Sequence, residues 1–327
     1  MVSAGEGDSL NAPGVIAVTG LRTTIGRSLA GCLAARPGIR VIGLDRHRPF
    51  RLDDRVRFHR VDLTEPTADG RLAEILAVER VEALVHAAFR TDPTGDFEED
   101  HELETIGSLH VMHACEAAKV RRLVVASSTT LYGARPDNPN FLSEAHPLRG
   151  HPDSHGIRDR VEMETLLAEW SERVGDAEVS VLRTGWMFGP EHWSQVVRHF
   201  ALPIVTTPVG YDPLLQIVHE QDVLAAFERA VLESHPGLFN VVSRDPLPIS
   251  VLLRLGGKRR LPLPEAVLDR IGAHPASGDR SAAFYDYLRY LWVADGSRGF
   301  DAFGEPVYST REAWISFVSS RRMRRYR

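Results

Sequence analysis

A chain of 327 residues is long enough to bury a large core, and a net charge of -5 gives it no electrostatic pull toward nucleic acid or an anionic membrane. Its apolar runs all fall short of the ~20 residues that a bilayer span needs, and Met1 to Asn11 lacks the basic and apolar regions of a secretory signal. Cys32 and Cys115 have no metal-type spacing, so they read as two buried, reduced thiols of a cytoplasmic protein, and no metal site is expected.

In chain order, residues 1–12 read as a disordered leader. Short apolar runs then alternate with longer amphipathic stretches. Val15–Val18, Val41–Leu44, Val56–Val61, Ala83–Ala87, Leu123–Ala126 and Val179–Leu182 predict buried strands. Helical spacing marks 25–35, 72–78, 103–118 and 161–174; in the last, Met163, Leu166, Leu167 and Trp170 fall on one face. Strand–helix alternation predicts an α/β fold, a doubly wound parallel sheet covered on both faces. After Gly185 prolines and aromatics become frequent and the elements shorten, with a strand at 216–218, a helix near 221–232 and a strand at 238–242. The division this implies is a first domain over 13–184, a smaller α/β lobe over 185–318 with segments returning to the first, and a solvated basic tail at 319–327.

The first strand runs directly into Thr19-Gly20-Leu21-Arg22-Thr23-Thr24-Ile25-Gly26 and then into a helix. A glycine-rich turn in that setting lets backbone N–H groups and a helix N-terminus face a pyrophosphate. Asp45 ends the second strand, 25 residues after Gly20, where a carboxylate can bond a ribose hydroxyl and repel a 2′-phosphate. Residues 13–184 are therefore read as a dinucleotide-binding domain.

With these residues in hand, the chain resembles the extended short-chain dehydrogenase/reductases, also called the NAD-dependent epimerase/dehydratase family. The opening matches the family's Thr-Gly-x-x-Gly-x-x-Gly at Thr19, Gly20 and Gly26. The likeness continues through Asp62-Leu63, His86-Ala87-Ala88, Ser127 to Gly133, Arg183 to Pro190 and Val218 to Val223. It implies a Rossmann-type fold and an NAD cofactor, with Asp62 and Leu63 against the adenine and His86, Ala87 and Ala88 passing the nicotinamide ribose. Ser128 takes the catalytic serine's place. The resemblance further implies a small-molecule substrate, in many members a nucleotide-sugar, and a homodimer.

Two departures stand out. Thr23 occupies the turn's middle glycine position, where a β-branched side chain crowds the approach to the pyrophosphate, although its hydroxyl could donate to a phosphate oxygen. Arg22, Arg46 and Arg48 could meet a 2′-phosphate, which keeps NADP open beside NAD. The second departure is chemical. The family places a tyrosine, and four residues later a lysine, before a helix whose pattern reappears here at Glu164, Leu166 and Leu167. That register puts Gly156 in the tyrosine's place and Arg160 in the lysine's; no register supplies both residues, and the only lysines are Lys119 and Lys258.

Two readings of this gap stay open. In one, His155 replaces the tyrosine as acid/base, Ser128 polarises the substrate oxygen and Arg160 keeps a positive charge beside the ribose. In the other, His155 is a loop residue at a helix start and proton transfer is lost. The functions that follow are an NAD(P)-dependent oxidoreductase or epimerase with a non-standard acid/base, a non-catalytic dinucleotide-binding protein, or a non-redox isomerase or cyclase. Substrate contact is expected from Phe89, Arg90, Thr130, Arg149, Trp186, Met187, His192 and Trp193, with Tyr211 able to enter from the second lobe. The substrate expected is small and polar or nucleotide-sugar-like, while the bulk of Trp186 and Met187 points to a more apolar pocket.

Overall fold

The computed structural model describes residues 12–90, 96–272 and 282–324. The predicted strands appear as β1 (Val15–Thr19), β2 (Arg40–Asp45), β3 (Arg57–Arg60), β4 (Ala83–His86), β5 (Arg122–Ser128) and β6 (Glu178–Thr184). Beyond them lie β7 (Trp186–Phe188), β8 (Ile204–Pro208), β9 (Leu214–Leu215), β10 (Ile217–His219) and β11 (Gly237–Val241). Seven of these strands form one sheet in the order β11-β6-β5-β4-β1-β2-β3, every pairing parallel. All four residues of β4 are buried, the mark of a strand covered on both faces.

Between β1 and β4 the chain's path across the sheet reverses, which opens a crevice at the carboxyl ends of those strands. The covering helices are α1 (Thr24–Ala34), α2 (Ala68–Glu79), α3 (Phe97–His101), α4 (Gly107–Ala118), α5 (His155–Val174), α6 (Gln195–Ala201) and α7 (Glu220–Leu232). The longer ones bury an apolar stripe, such as Leu29, Ala30 and Leu33 on α1 and Met163, Leu167 and Trp170 on α5. Burying each such leucine or methionine contributes about 1.5–3 kcal/mol. The stretch predicted as one helix over 103–118 is two elements, since Glu102–Ile106 is wound as a π-helix before α4 begins.

A second core holds Trp186, Phe188, Phe200, Trp314 and Phe317, together with Tyr132 and Leu142 from before β6. The small lobe thus takes in a loop from the first part of the chain. Two expectations change here. Cys115 is buried and its thiol is pushed up to about 12 by desolvation, but Cys32 is exposed on α1 because it lies off that helix's apolar stripe. The basic end is helical as far as Arg324, within helix Thr310–Arg324, because Arg321 packs over the Trp193 ring at 4.5 Å and donates to the His192 carbonyl. Residues 1–11 of the expected 1–12 leader and the last residues, 325–327, lie outside the described residues. Among the described residues no helix is long and apolar enough to cross a membrane.

Candidate active site

The turn after β1 is shaped by two glycines. Gly20 has φ +71°, and a Cβ there would lie 2.3 Å from the Ala87 carbonyl oxygen; one on Gly26 would lie 2.3 Å from the Gly20 carbonyl oxygen. The turn therefore packs directly onto the end of β4. Thr23 caps α1: its Oγ1 accepts from the Gly26 N–H at 3.0 Å and donates to the Gly20 carbonyl at 2.8 Å. That hydroxyl is spent inside the turn, so the expected donation to a phosphate oxygen does not hold. The first turn of α1 carries no acidic residue, and the N–H groups of Thr24 and Ile25 have no intrahelical partner, so the positive helix end stays uncompensated.

A cavity of about 250 Å³ lies beside this turn, lined among others by Gly20, Arg22, Asp45, Asp62, Leu63 and Ala88. Asp45 accepts from the Arg22 N–H at 3.1 Å, and burial, partly offset by backbone N–H donors, raises its pKa. Of the three arginines that could meet a 2′-phosphate, Arg22 lines this cavity beside Asp45, whereas the other two are held in ion pairs. Arg46 pairs with Asp62 at 2.9 Å and Glu99 at 3.2 Å, and Arg48 with Asp54 at 3.1 Å.

A second cavity of about 280 Å³ adjoins it, with Thr23, Phe89 and Arg90 lining both. Its wall includes Ile25, Ala87, Ser128, Thr130, His155, Gly156, Arg160, Trp186 and Met187, so most of the residues singled out from sequence converge here. Behind the end of β5 a buried network holds the strand in place. Ser127 donates to Glu164, Arg183 donates to Glu164 at 2.6 Å and to the Tyr132 hydroxyl at 3.0 Å, and Tyr132 donates to Asn240 at 2.7 Å. Ser128 itself accepts from the Thr130 N–H at 3.2 Å and from the Thr130 hydroxyl at 2.8 Å, which leaves its own O–H to donate into the cavity.

Helix α5 starts at His155, with Ser154 as its cap. His155 is exposed, stacks on Phe97 with ring centroids 4.2 Å apart, and accepts at Nδ1 from Arg158 at 2.7 Å. Nothing stands within 4 Å of the position a Cβ on Gly156 would take. Arg160 donates to Glu104 at 2.6 Å and to the Arg90 carbonyl at 2.6 Å. Burial disfavours its charge and Glu104 more than offsets this. The cation in the lysine's place is therefore neutralised from the π-helical segment.

Trp193 lines neither cavity, because its ring lies under the Arg321 guanidinium, and four more sequence expectations do not join the site. His86 lies beneath it, bonded to Thr19 at 2.8 Å and Ser108 at 3.0 Å, with burial pushing its pKa down to about 3; it ties β4 to β1 and α4 and lines neither cavity. Gly26 also lines neither, since its place is against Gly20. Arg149 turns to Asp137 at 2.7 Å and to Asn138, where paired charge holds it. Tyr211 is exposed and packs edge-on against Tyr290. The tyrosine that does enter is Tyr287, whose hydroxyl donates to the Thr130 carbonyl at 2.6 Å and whose pKa burial raises. Phe97, Asp100, Glu104 and Phe284 also line the cavity unforeseen; the aromatic richness after Gly185 was the one sequence signal, and it named no particular ring.

The model of the NAD dependent epimerase/dehydratase family matches residues 16–241, and the chain belongs to that family. An uncharacterized protein of Mycobacterium tuberculosis is 31% identical over 322 residues, covering 94% of this chain and 84% of its own. A 3-diazoavenalumate denitrifying reductase from Streptomyces is 27% identical over 278 residues, covering 78% of this chain and 86% of its own. Among solved structures, UDP-glucose 4-epimerase of Thermotoga maritima, crystallised with UDP-glucose, superposes with a TM-score of 0.73 at 19% identity over 95% of this chain and 99% of that one. The Thermus thermophilus UDP-glucose 4-epimerase, in complex with NAD, gives 0.72 at 23% identity over 94% and 99%. At such identities the superpositions speak to the fold.

Proposed function

We propose that this protein is an NAD-dependent oxidoreductase of the epimerase/dehydratase family with a non-standard proton-handling group, acting on a small molecule. The observation that carries the reading is the meeting of the two cavities at Thr23, Phe89 and Arg90, with Asp45 at one end and Ser128 at the other. Asp45 would hold the adenosine ribose, Asp62 and Leu63 would flank the adenine, and the first turn of α1 would face the pyrophosphate. When bound, the cofactor would supply hydride transfer to or from the substrate carbon. Ser128 donates to the substrate oxygen, and His155 relays a proton at the cavity mouth. Trp186 lines the cavity and is held there by Trp292 at 5.0 Å and Phe284 at 6.0 Å. NAD is favoured over NADP because Asp45 stands where a 2′-phosphate would sit and Arg46 and Arg48 are already paired.

One observation favours a second reading, a dinucleotide-binding protein without catalysis: Gly156 offers no side chain and Arg160 is committed to Glu104. Calorimetric titration with NAD⁺ and NADP⁺ tests the shared part. NAD⁺ is expected to bind more tightly, with the preference narrowed about tenfold by Asp45→Ala, the loss of one charge-assisted hydrogen bond; a preference for NADP⁺ would overturn the assignment of Asp45. Following NADH absorbance with carbonyl compounds separates the readings. Tight NAD⁺ binding with no turnover on any of them would favour the binder.

A further inference from the structure

Apart from the α1 N-terminus, which it shares with the nucleotide cavity, the cavity at Ser128 has no uncompensated charge. Two guanidinium groups line it, and both are matched: Arg90 lies 3.1 Å from Glu99 and 3.0 Å from Asp100, and Arg160 lies 2.6 Å from Glu104. Asp100 and Glu104 line the same wall, so its charged residues sum to zero. A diphosphate or a carboxylate entering here would meet paired cations and two carboxylates, whereas anion recognition needs donors with charge to spare. The walls instead carry Phe89, Phe97, Trp186, Met187, Phe284 and Tyr287. Two stacked pairs approach from different elements: Trp186 with Phe284, at 6.0 Å and 19° in the lobe, and Phe97 with His155, at 4.2 Å and 22° across α3 and α5. At the end of β5 the Ser128 O–H is left to donate, since its oxygen only accepts from Thr130.

We propose that the substrate end of this cavity takes an uncharged aromatic ring bearing an oxygen that reaches Ser128, and not a nucleotide-sugar. The proposal rests on the oxidoreductase reading for where the substrate lies. Flat rings suit the site because aromatic faces and edges offer directional contact beyond area burial. The neutral wall leaves an uncharged ring free of the desolvation cost that an unpaired anion would carry.

The test titrates trans-cinnamaldehyde and UDP-glucose by calorimetry into the NAD⁺-saturated protein and into the cofactor-free protein. Cinnamaldehyde is expected to bind and UDP-glucose to give no heat. Phe97→Ala should weaken cinnamaldehyde about three- to tenfold, the range of one aromatic contact; Phe97 is half exposed, so its loss spares the core. Ser128→Ala should weaken it as well, through the lost hydrogen bond. Binding of UDP-glucose in place of cinnamaldehyde would overturn the proposal, and so would equal cinnamaldehyde affinity in wild type and both variants. Loss of NAD⁺ binding with the ring still bound would sink the oxidoreductase reading alone.

Discussion

The two ends of the groove are built by different means. At the nucleotide end the shape is made of backbone. Gly20 lies against the carbonyl of Ala87, Gly26 lies against Gly20, and the one departing side chain, Thr23, turns inward to cap α1. At the Ser128 end the shape is made of side chains from distant segments: Glu104 from the π-helix, Arg160 from α5, Trp186 from β7 and Tyr287 from the lobe. Backbone geometry tolerates few substitutions, because glycine is the residue that reaches such φ values and close approaches without strain. A wall of side chains can change its chemistry one residue at a time. That is why the nucleotide end keeps its family pattern while the other end has exchanged tyrosine and lysine for a glycine and a neutralised arginine.

If this contrast holds, substitutions at the two ends should fail in different ways. The largest effect is expected from Gly20→Ala. Its Cβ would meet backbone at 2.3 Å in a left-handed conformation, at a cost of at least about 3 kcal/mol. Chemical denaturation should show that loss together with abolished NAD⁺ binding, and an unchanged midpoint would break the backbone account. Next comes Ser128→Ala, expected to cut any turnover by about 10²–10³-fold as one oxygen-directed donor is lost. NAD⁺ affinity should stay as it was, and turnover at the wild-type rate would remove the role given to Ser128. The smallest is Glu104→Gln, which leaves Arg160 largely buried without its carboxylate. It is expected to cost about 2–3 kcal/mol, toward the low side for a broken buried pair because the Arg160 side chain keeps 21% of its exposure. Measured by denaturation, a cost near zero would mean that the pair does not hold this wall.

Much of the nucleotide end was legible in the chain, because its determinants are local. Strand, turn and helix follow one another between Val15 and Ala34, and Asp45 is fixed by the end of the next strand. Even there His86 misled, since adjacency to Ala87 and Ala88 says nothing about which way a strand residue faces; alternation turns His86 under the sheet, to Thr19 and Ser108. The substrate end was legible only in part. Ser128, His155, Trp186 and Met187 were found by their places in the pattern, whereas Arg149 and Tyr211 were placed by residue type and lie elsewhere. Glu104 and Tyr287 carried no local signal, because their roles exist through partners 56 and 157 positions away.

Taken by itself, the sequence determined the parallel α/β sheet, the glycine-shaped turn between β1 and α1, and the absence of the tyrosine and lysine. Periodicity, glycine placement and spacing are properties of neighbouring residues. Only the tertiary structure decided that the Thr23 hydroxyl is consumed as a cap, that Arg160 is cancelled by Glu104, and that the cavity is walled by rings from the lobe. Charge balance and cavity chemistry are sums over groups that meet only once the chain has closed on itself.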